Sequence, residues 1–190
     1  MQTLITQMRA CTLCKDLPLG PKPIFQLDPS ATILIVGQAP GRITHKKGRP
    51  FDDPSGERLR AWMGVDKTTF YDNPRMGIFP MGLCFPGTGA SGDNPPPPIC
   101  AQTWRKPVMD VLQNVKLTLV LGAYAIGWHL PQLKGSSVVK AVRHASDGRD
   151  GVFVLPHPSP RNNRWLRQNP WFEQDVVPRI QDTVRQCLGG

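Results

Sequence analysis

The sequence has no apolar stretch approaching the ~20 residues that span a bilayer, which excludes a membrane-spanning helix. Its first fourteen residues, MQTLITQMRACTLC, hold no continuous apolar segment of the kind a secretory leader needs, so an unexported, cytoplasmic chain is expected. Acidic residues are scarce: 14 Asp and Glu face 23 Lys and Arg, a formal net charge of +9. That imbalance points to an acidic partner, nucleic acid first, with solubility alone as the plainer explanation. No repeat and no linker divides the 190 residues, a length that suits one domain (1–190) with one hydrophobic core. Gly and Pro are plentiful, 18 and 21, but they fall in separate loops between apolar runs. The composition is that of a loop-rich folded domain and not of low-complexity disorder. Five cysteines in an unexported chain favour metal binding over a disulfide framework.

The apolar runs define the architecture. A short amphipathic helix is expected over Met1–Arg9, then a coil rich in Pro and Gly over Cys11–Pro29. ATILIVG (Ala31–Gly37) is compact, β-branched and ends in glycine, the pattern of a buried strand. Gln38–Pro54 reads as a long polar loop, and Ser55–Met63 as a helix with Ser55 as a possible cap. Met76–Cys84 reads as a second strand, and Phe85–Pro98 as a loop. Ile99–Val115 is helical, with Pro107 kinking or breaking it. KLTLVLG (Lys116–Gly122) repeats the first strand's pattern and leads into the helical AYAIGWHL; VFVLPH (Val152–His157) repeats it again. A helix over Asn169–Leu188 closes the chain. Strands alternating with helices predict an α/β domain, a central, mostly parallel four-stranded sheet flanked by helices. Ligands collect beyond the carboxyl ends of such strands, which singles out GQAPGRITHKKGRPF, FPGTGASGDNPPPP and HPSPRNNRW.

Cys11 and Cys14 form a CxxC pair, and Cys84 and Cys100 flank the proline-rich loop with 15 residues between them. Four thiolates hold either a [4Fe-4S] cluster or a zinc ion. Zinc sites more often use two tight pairs, so the wide second pair tilts toward iron–sulfur. Buried free thiols are the plainer alternative. Cys187 fits no pair.

GQAPG, then GRPF eleven residues after its first glycine, then HPSPRN, together with the four cysteines in this order, resemble the uracil-DNA glycosylase superfamily, and within it the iron–sulfur (family 4-like) branch. The likeness runs from about Cys11 to the end. It implies a sheet flanked by helices and a structural [4Fe-4S] cluster on Cys11, Cys14, Cys84 and Cys100. It also implies hydrolysis of the N-glycosidic bond of a deaminated or otherwise modified base in DNA, in base-excision repair, leaving an abasic site. Such an enzyme must take its base out of the stack. By this resemblance Gly37, Ala39, Pro40 and Gly41 line the site, and Phe51 stacks on the flipped base, a contact worth about 1–3 kcal/mol. His157 donates to a base oxygen as negative charge develops on the leaving group, as in an oxyanion hole. Ser159–Trp165 is the segment that enters the duplex, with Pro160, Arg161 and Asn162 as its wedge and phosphate contacts and Ser159 also in the substrate-binding set. Arg42, Lys46, Lys47 and Arg49 on one loop, and Arg161, Arg164 and Arg167 on another, would hold phosphates.

Two departures bear on chemistry. The family's acidic residue after the first glycine is Gln38 here, and its second acidic pair is Thr44–His45. Gln38 could position water but is no general base. Asp53 then becomes the candidate for orienting water or stabilising the sugar cation, with helix capping as its plainer role, and His45 is a further candidate. The family's base-reading asparagine, four residues before the third cysteine, is Pro80, so the preferred base is not inherited from the motif. A monomer without specific protein partners is expected. Two other readings remain: a non-catalytic, lesion-sensing DNA-binding module on the same fold, and an iron–sulfur redox protein unrelated to DNA.

Overall fold

The structure, a computed structural model, describes residues 1–90 and 92–189. Its centre is a run of side chains with nowhere polar to go. Ile33, Leu34, Ile35 and Val36 are all fully buried and form β1 (Ile33–Val36), preceded by α1 (Gln2–Arg9) and the Cys11–Pro29 coil. Burial on both faces is what a parallel strand under helices requires. After α2 (Arg42–Lys47), α3 (Pro54–Met63) and α4 (Lys67–Asp72) comes β2 (Met76–Ile78), which pairs parallel to β1. A two-residue hairpin, β3 (Thr88–Gly89) with β4 (Gly92–Asp93), precedes α5 (Pro98–Val111). β5 (Leu117–Leu121) lies on the other side of β1, followed by α6 (Ala123–His129) and α7 (Val138–His144). β6 (Val152–Leu155) pairs with β5, and α8 (Asn163–Gln168) and α9 (Val177–Leu188) end the chain.

The main sheet therefore runs β2-β1-β5-β6, all parallel, a single α/β domain as expected. Its register sets Ile35 beside Ile78 and Leu119, and Leu119 beside Phe153. One layer over the sheet joins α3 and α9, where Leu59, Met63, Ile180 and Val184 are buried together with Phe172. Trp62 stacks edge-on against Phe172 at 4.9 Å and donates its indole N–H to Glu173 at 2.9 Å.

Several elements differ from the sequence reading. The polar segment Gln38–Pro54 contains α2, stopped by Gly48 in the left-handed conformation (φ 72°). The cap of α3 is Asp53 and not Ser55: its carboxylate accepts from Gly56 N at 2.9 Å, and Pro54 takes the first helical position. Regular strand in Met76–Cys84 ends at Ile78, although Phe79 N still donates to Ile35 O at 2.9 Å; Pro80 follows on the open edge of the sheet, where its missing N–H costs no bond to β1. Pro107 lies inside α5 without breaking it; it faces solvent, which can take the carbonyl its missing N–H leaves free. The final helix, expected over Asn169–Leu188, begins as a π-helical turn over Phe172–Val176 and continues as α9. Besides α2, three helices were not read from sequence: α4, α7 and α8. Asp66 caps the first, accepting from Thr69 N at 2.7 Å, and Ser137 the second, accepting from Lys140 N at 3.3 Å. Both are ordinary start signals on segments too short to show a period. Among the described residues no helix is long and apolar enough to cross a membrane.

Candidate active site

All four strands point the same way, so their following segments gather at one edge. After β1 comes Gly37–Gly41; after β2, Phe79–Cys84; after β6, His157–Asn162. The first two are joined by backbone hydrogen bonds. Met81 N donates to Gly37 O at 2.8 Å and Gly82 N to Gln38 O at 2.9 Å. Gly82 has no room for a side chain: a Cβ there would sit 2.8 Å from Pro96 and 3.5 Å from Ala39.

His157 is half-buried, and its geometry is set by its own loop. Ser159 N donates to its Nδ1 at 3.2 Å, and Asn162 Nδ2 donates to its carbonyl at 2.7 Å. Ser159 Oγ in turn accepts from Arg161 N at 3.3 Å, starting a 3₁₀ turn over Pro160–Asn162. Burial pushes the imidazole below the ordinary histidine pKa; the carboxylates of Asp53 and Asp93 oppose that shift, and Arg161 adds to it. The ring is thus neutral at neutral pH, with Nδ1 accepting and Nε2 carrying the proton. Arg58, which sequence reasoning missed, fastens this loop to α3. Its guanidinium donates to Pro158 O and Ser159 O, both at 3.3 Å, and to Asn163 Oδ1 at 2.7 Å.

Phe51 has a positive φ of 54°, unusual for an aromatic residue. It is held there by contacts: Arg60 donates to its carbonyl at 3.2 Å, and its ring meets Phe70 edge-on at 6.4 Å. Gly56 makes the turn possible, since a Cβ there would lie 1.7 Å from Phe51 O. The ring reaches Gly37, 3.8 Å from where its Cβ would stand. Phe51 and the Gly37–Gly41 loop therefore share one wall.

The remaining candidates are placed as follows. Asp53 caps α3 and lies within electrostatic reach of His157. Gln38 donates its amide to Asn94 O at 3.1 Å. Ala39 and Pro40 continue the loop, with Pro40 buried. His45 is one turn into α2, 6.0 Å from the Phe85 ring; its Nδ1 is buried with no partner, and burial and then Lys22 lower its pKa. It is tied to Phe85 and Lys22 and is not among the groups acting on His157. Of the basic residues, Lys47 pairs with Asp52 at 3.4 Å, Arg49 lies 3.6 Å over the Tyr71 ring, and Arg42 lies 5.9 Å from the Phe85 ring centroid. Arg161, Arg164 and Arg167 form no ion pair among the described residues.

Pro80 lies at the Phe79–Pro80 bend, where the carbonyls of both residues accept from the guanidinium of Arg105 (2.8 and 3.3 Å). Arg105 is 1% exposed, has no carboxylate partner among the described residues, and bonds the ring Nε2 of His129. Burial, and then the arginine charge, lower the His129 pKa to about 3, so this histidine is a neutral acceptor.

Cys11, Cys14, Cys84 and Cys100 line one apolar pocket, with Leu13, Leu83 and Trp104 in its walls. Cys187 lies elsewhere, on α9. Among the described residues, no three His, Cys, Asp or Glu side chains are grouped as ligands of one metal ion. Burial, reinforced by the neighbouring thiols, pushes Cys84 up to about 11 and Cys100 up to about 12. Leu83 N donates to Cys100 Sγ at 3.3 Å, and Trp104 Nε1 is buried with no partner. The donor set suits a thiophilic metal group: four thiols facing one space, an unused N–H in the wall, and binding that would release the protons burial now holds.

A parallel sheet with a glycine-rich loop, an aromatic and a neutral histidine at its carboxyl edge defines an α/β protein whose candidate site lies at that edge. The sequence profile of the Uracil DNA glycosylase superfamily matches residues 24–181, and the chain belongs to that superfamily. Among solved structures it is similar to the solution NMR structure of a candidate uracil DNA glycosylase from Methanosarcina acetivorans. The TM-score is 0.50 at 18% identity, covering 87% of this chain and 98% of that one. That likeness concerns the fold.

Proposed function

We propose that the chain is a monofunctional DNA glycosylase that flips a deaminated or otherwise modified base from DNA and hydrolyses its N-glycosidic bond, leaving an abasic site. The observation that carries this reading is His157: neutral, with Nδ1 taken by Ser159 N and Nε2–H left to donate. A neutral donor aimed at a base oxygen stabilises the leaving anion more selectively than the substrate, which lowers the barrier. Phe51, on the wall shared with Gly37, offers a stacking face. Arg161, Arg164 and Arg167 beside it suit the phosphates, and the +9 charge suits non-specific association.

Uracil is the family's default base, but Pro80 offers no side-chain hydrogen bond to read a base edge. The discriminating contacts must then come from backbone groups and His157, which leaves room for another modified base. The protein acts as a monomer on DNA, with no protein partner required, in the reducing cytoplasm, where its free thiols persist.

Cys11, Cys14, Cys84 and Cys100 would hold a [4Fe-4S] cluster. The wide spacing of Cys84 and Cys100 favours it over zinc, whose sites more often use two tight pairs, and the four thiols line one pocket. The cluster would supply a structural cross-link between the N-terminal coil and α5.

The test is a base-excision assay on oligonucleotides bearing uracil (opposite G, opposite A, and single-stranded), hypoxanthine or xanthine, with an undamaged control and alkaline cleavage of abasic sites. Cleavage at one lesion, lost in His157→Ala, is the expected result. DNA binding without cleavage at any lesion would instead favour the sensing module, the reading that the absence of acidic residues at Gln38 and Thr44–His45 supports.

A further inference from the structure

The Gly37–Gly41 loop lacks a carboxylate, yet the structure brings one against it from a distant part of the sequence. Asp93 ends the small hairpin β3–β4, and its Oδ2 lies 3.3 Å from where a Cβ on Gly41 would stand. The hairpin also meets the loop that carries His157. Arg161, on the His157 loop, packs on Gly92, its guanidinium nitrogen 2.7 Å from the position of an added Cβ. Asp93 thus sits on the strand between the two loops that carry the site.

Its placement is built, not incidental. Gln38 donates to the carbonyl of the next residue, Asn94, at 3.1 Å. Asn94 is fixed further: its N donates to Gly87 O at 2.9 Å and its side chain to Pro86 O at 3.2 Å. A glutamate at position 38 would face the Asn94 carbonyl with no proton to give, whereas the amide donates one. The residue that replaces the family's acid tethers the segment that delivers another.

Competing carboxylates nearby are engaged. Asp53 caps α3, and Asp52 pairs with Lys47 and Lys67. Asp93 has one long contact, from Thr88 Oγ1 to its Oδ1 at 3.4 Å, and forms no ion pair among the described residues.

We propose that Asp93 is the catalytic carboxylate of this site, orienting the attacking water and stabilising the positive charge that develops on the sugar. The inference rests on the glycosylase reading. In the step, the water oxygen bonds the sugar C1′ as the C1′–N bond breaks, and that electron pair leaves with the base, held by His157. The water proton passes by way of Asp93 to solvent, and the released base anion takes up a proton.

The experiment compares wild type with Asp93→Asn, Asp93→Glu and the surface control Asp110→Asn. It measures single-turnover excision, DNA affinity, and the NMR titration of the His157 imidazole. Asp93→Asn should lower the excision rate about 10²-fold, leave DNA affinity within about twofold because only charge at the reacting centre changes, and shift the His157 titration to lower pH. Asp93→Glu should restore part of the rate, and Asp110→Asn should change nothing. An Asp93→Asn protein that excises at the wild-type rate overturns the proposal, as does a His157 titration that does not move. A wild type that excises no base overturns the glycosylase reading instead, and the titration then still decides whether Asp93 faces His157.

Discussion

Ser159 N donates to Nδ1 of His157 at 3.2 Å, two residues along the same loop, and so decides which ring nitrogen carries the proton. A histidine placed this way is a neutral donor rather than a cation. Its pKa lies below the ordinary value, chiefly through burial. Excision should therefore stay level as pH falls from 8 through the usual histidine range near 6.5 and drop only below it. A pH–rate profile checks this; an acid limb centred at or above 6.5 would show a solvent-exposed imidazole in its place.

Arg58 is the fastening between α3 and the His157 loop. Arg58→Ala removes three hydrogen bonds from a charged donor, two of them long. Denaturant unfolding should show a loss of about 1–3 kcal/mol. Excision should fall more than affinity for DNA does, since what loosens is the aim of His157 and not the phosphate contacts.

Gly56 faces the Phe51 carbonyl with no space for a methyl group. Gly56→Ala must push that carbonyl away, releasing Phe51 from its positive φ and costing about 1–3 kcal/mol or more. Thermal unfolding and base-analogue fluorescence in bound DNA would read the two effects, lower Tm and lost stacking. An unchanged Tm would mean the turn is softer than its packing indicates.

The pair Arg105–His129 makes stability depend on acid. The folded-state pKa of His129, about 3, lies below its unfolded value near 6.5. The unfolded chain thus takes up a proton that the folded one refuses, and stability present above pH 6.5 is lost as pH falls toward 3. His129→Gln keeps an acceptor for Arg105 and removes the titration. Its unfolding free energy should vary less over that window than that of wild type, as chemical denaturation at several pH values would reveal.

The thiol pocket yields a sharp contrast between cysteines. Anaerobically prepared protein should carry iron and sulfide and show the visible absorption of thiolate-ligated iron. Serine at Cys11, Cys14, Cys84 or Cys100 should abolish the colour and reduce solubility. Serine at Cys187, on α9 away from the pocket, should leave the colour intact. A colourless, zinc-loaded protein would overturn the cluster assignment.

The amino-acid sequence by itself determined the sheet. Runs such as Ile33–Val36 and Leu117–Leu121 are apolar at every position, and only burial on both faces satisfies that. It also marked the loops around Gly37, Phe51 and His157, because glycine-rich turns after strands are local signals, and it paired the four cysteines by spacing. Short helices such as α4 and α7 escaped, since six or seven residues hold too few turns to display a period. What only the tertiary structure decided are the meetings between distant segments. Arg58 reaches the His157 loop a hundred residues on, Arg105 closes over the Phe79–Pro80 carbonyls, and Asp93 comes to rest against Gly41. No spacing rule links such residues. Each contact exists because the parallel sheet carries separate loops to one edge, where shape and charge settle which side chains meet.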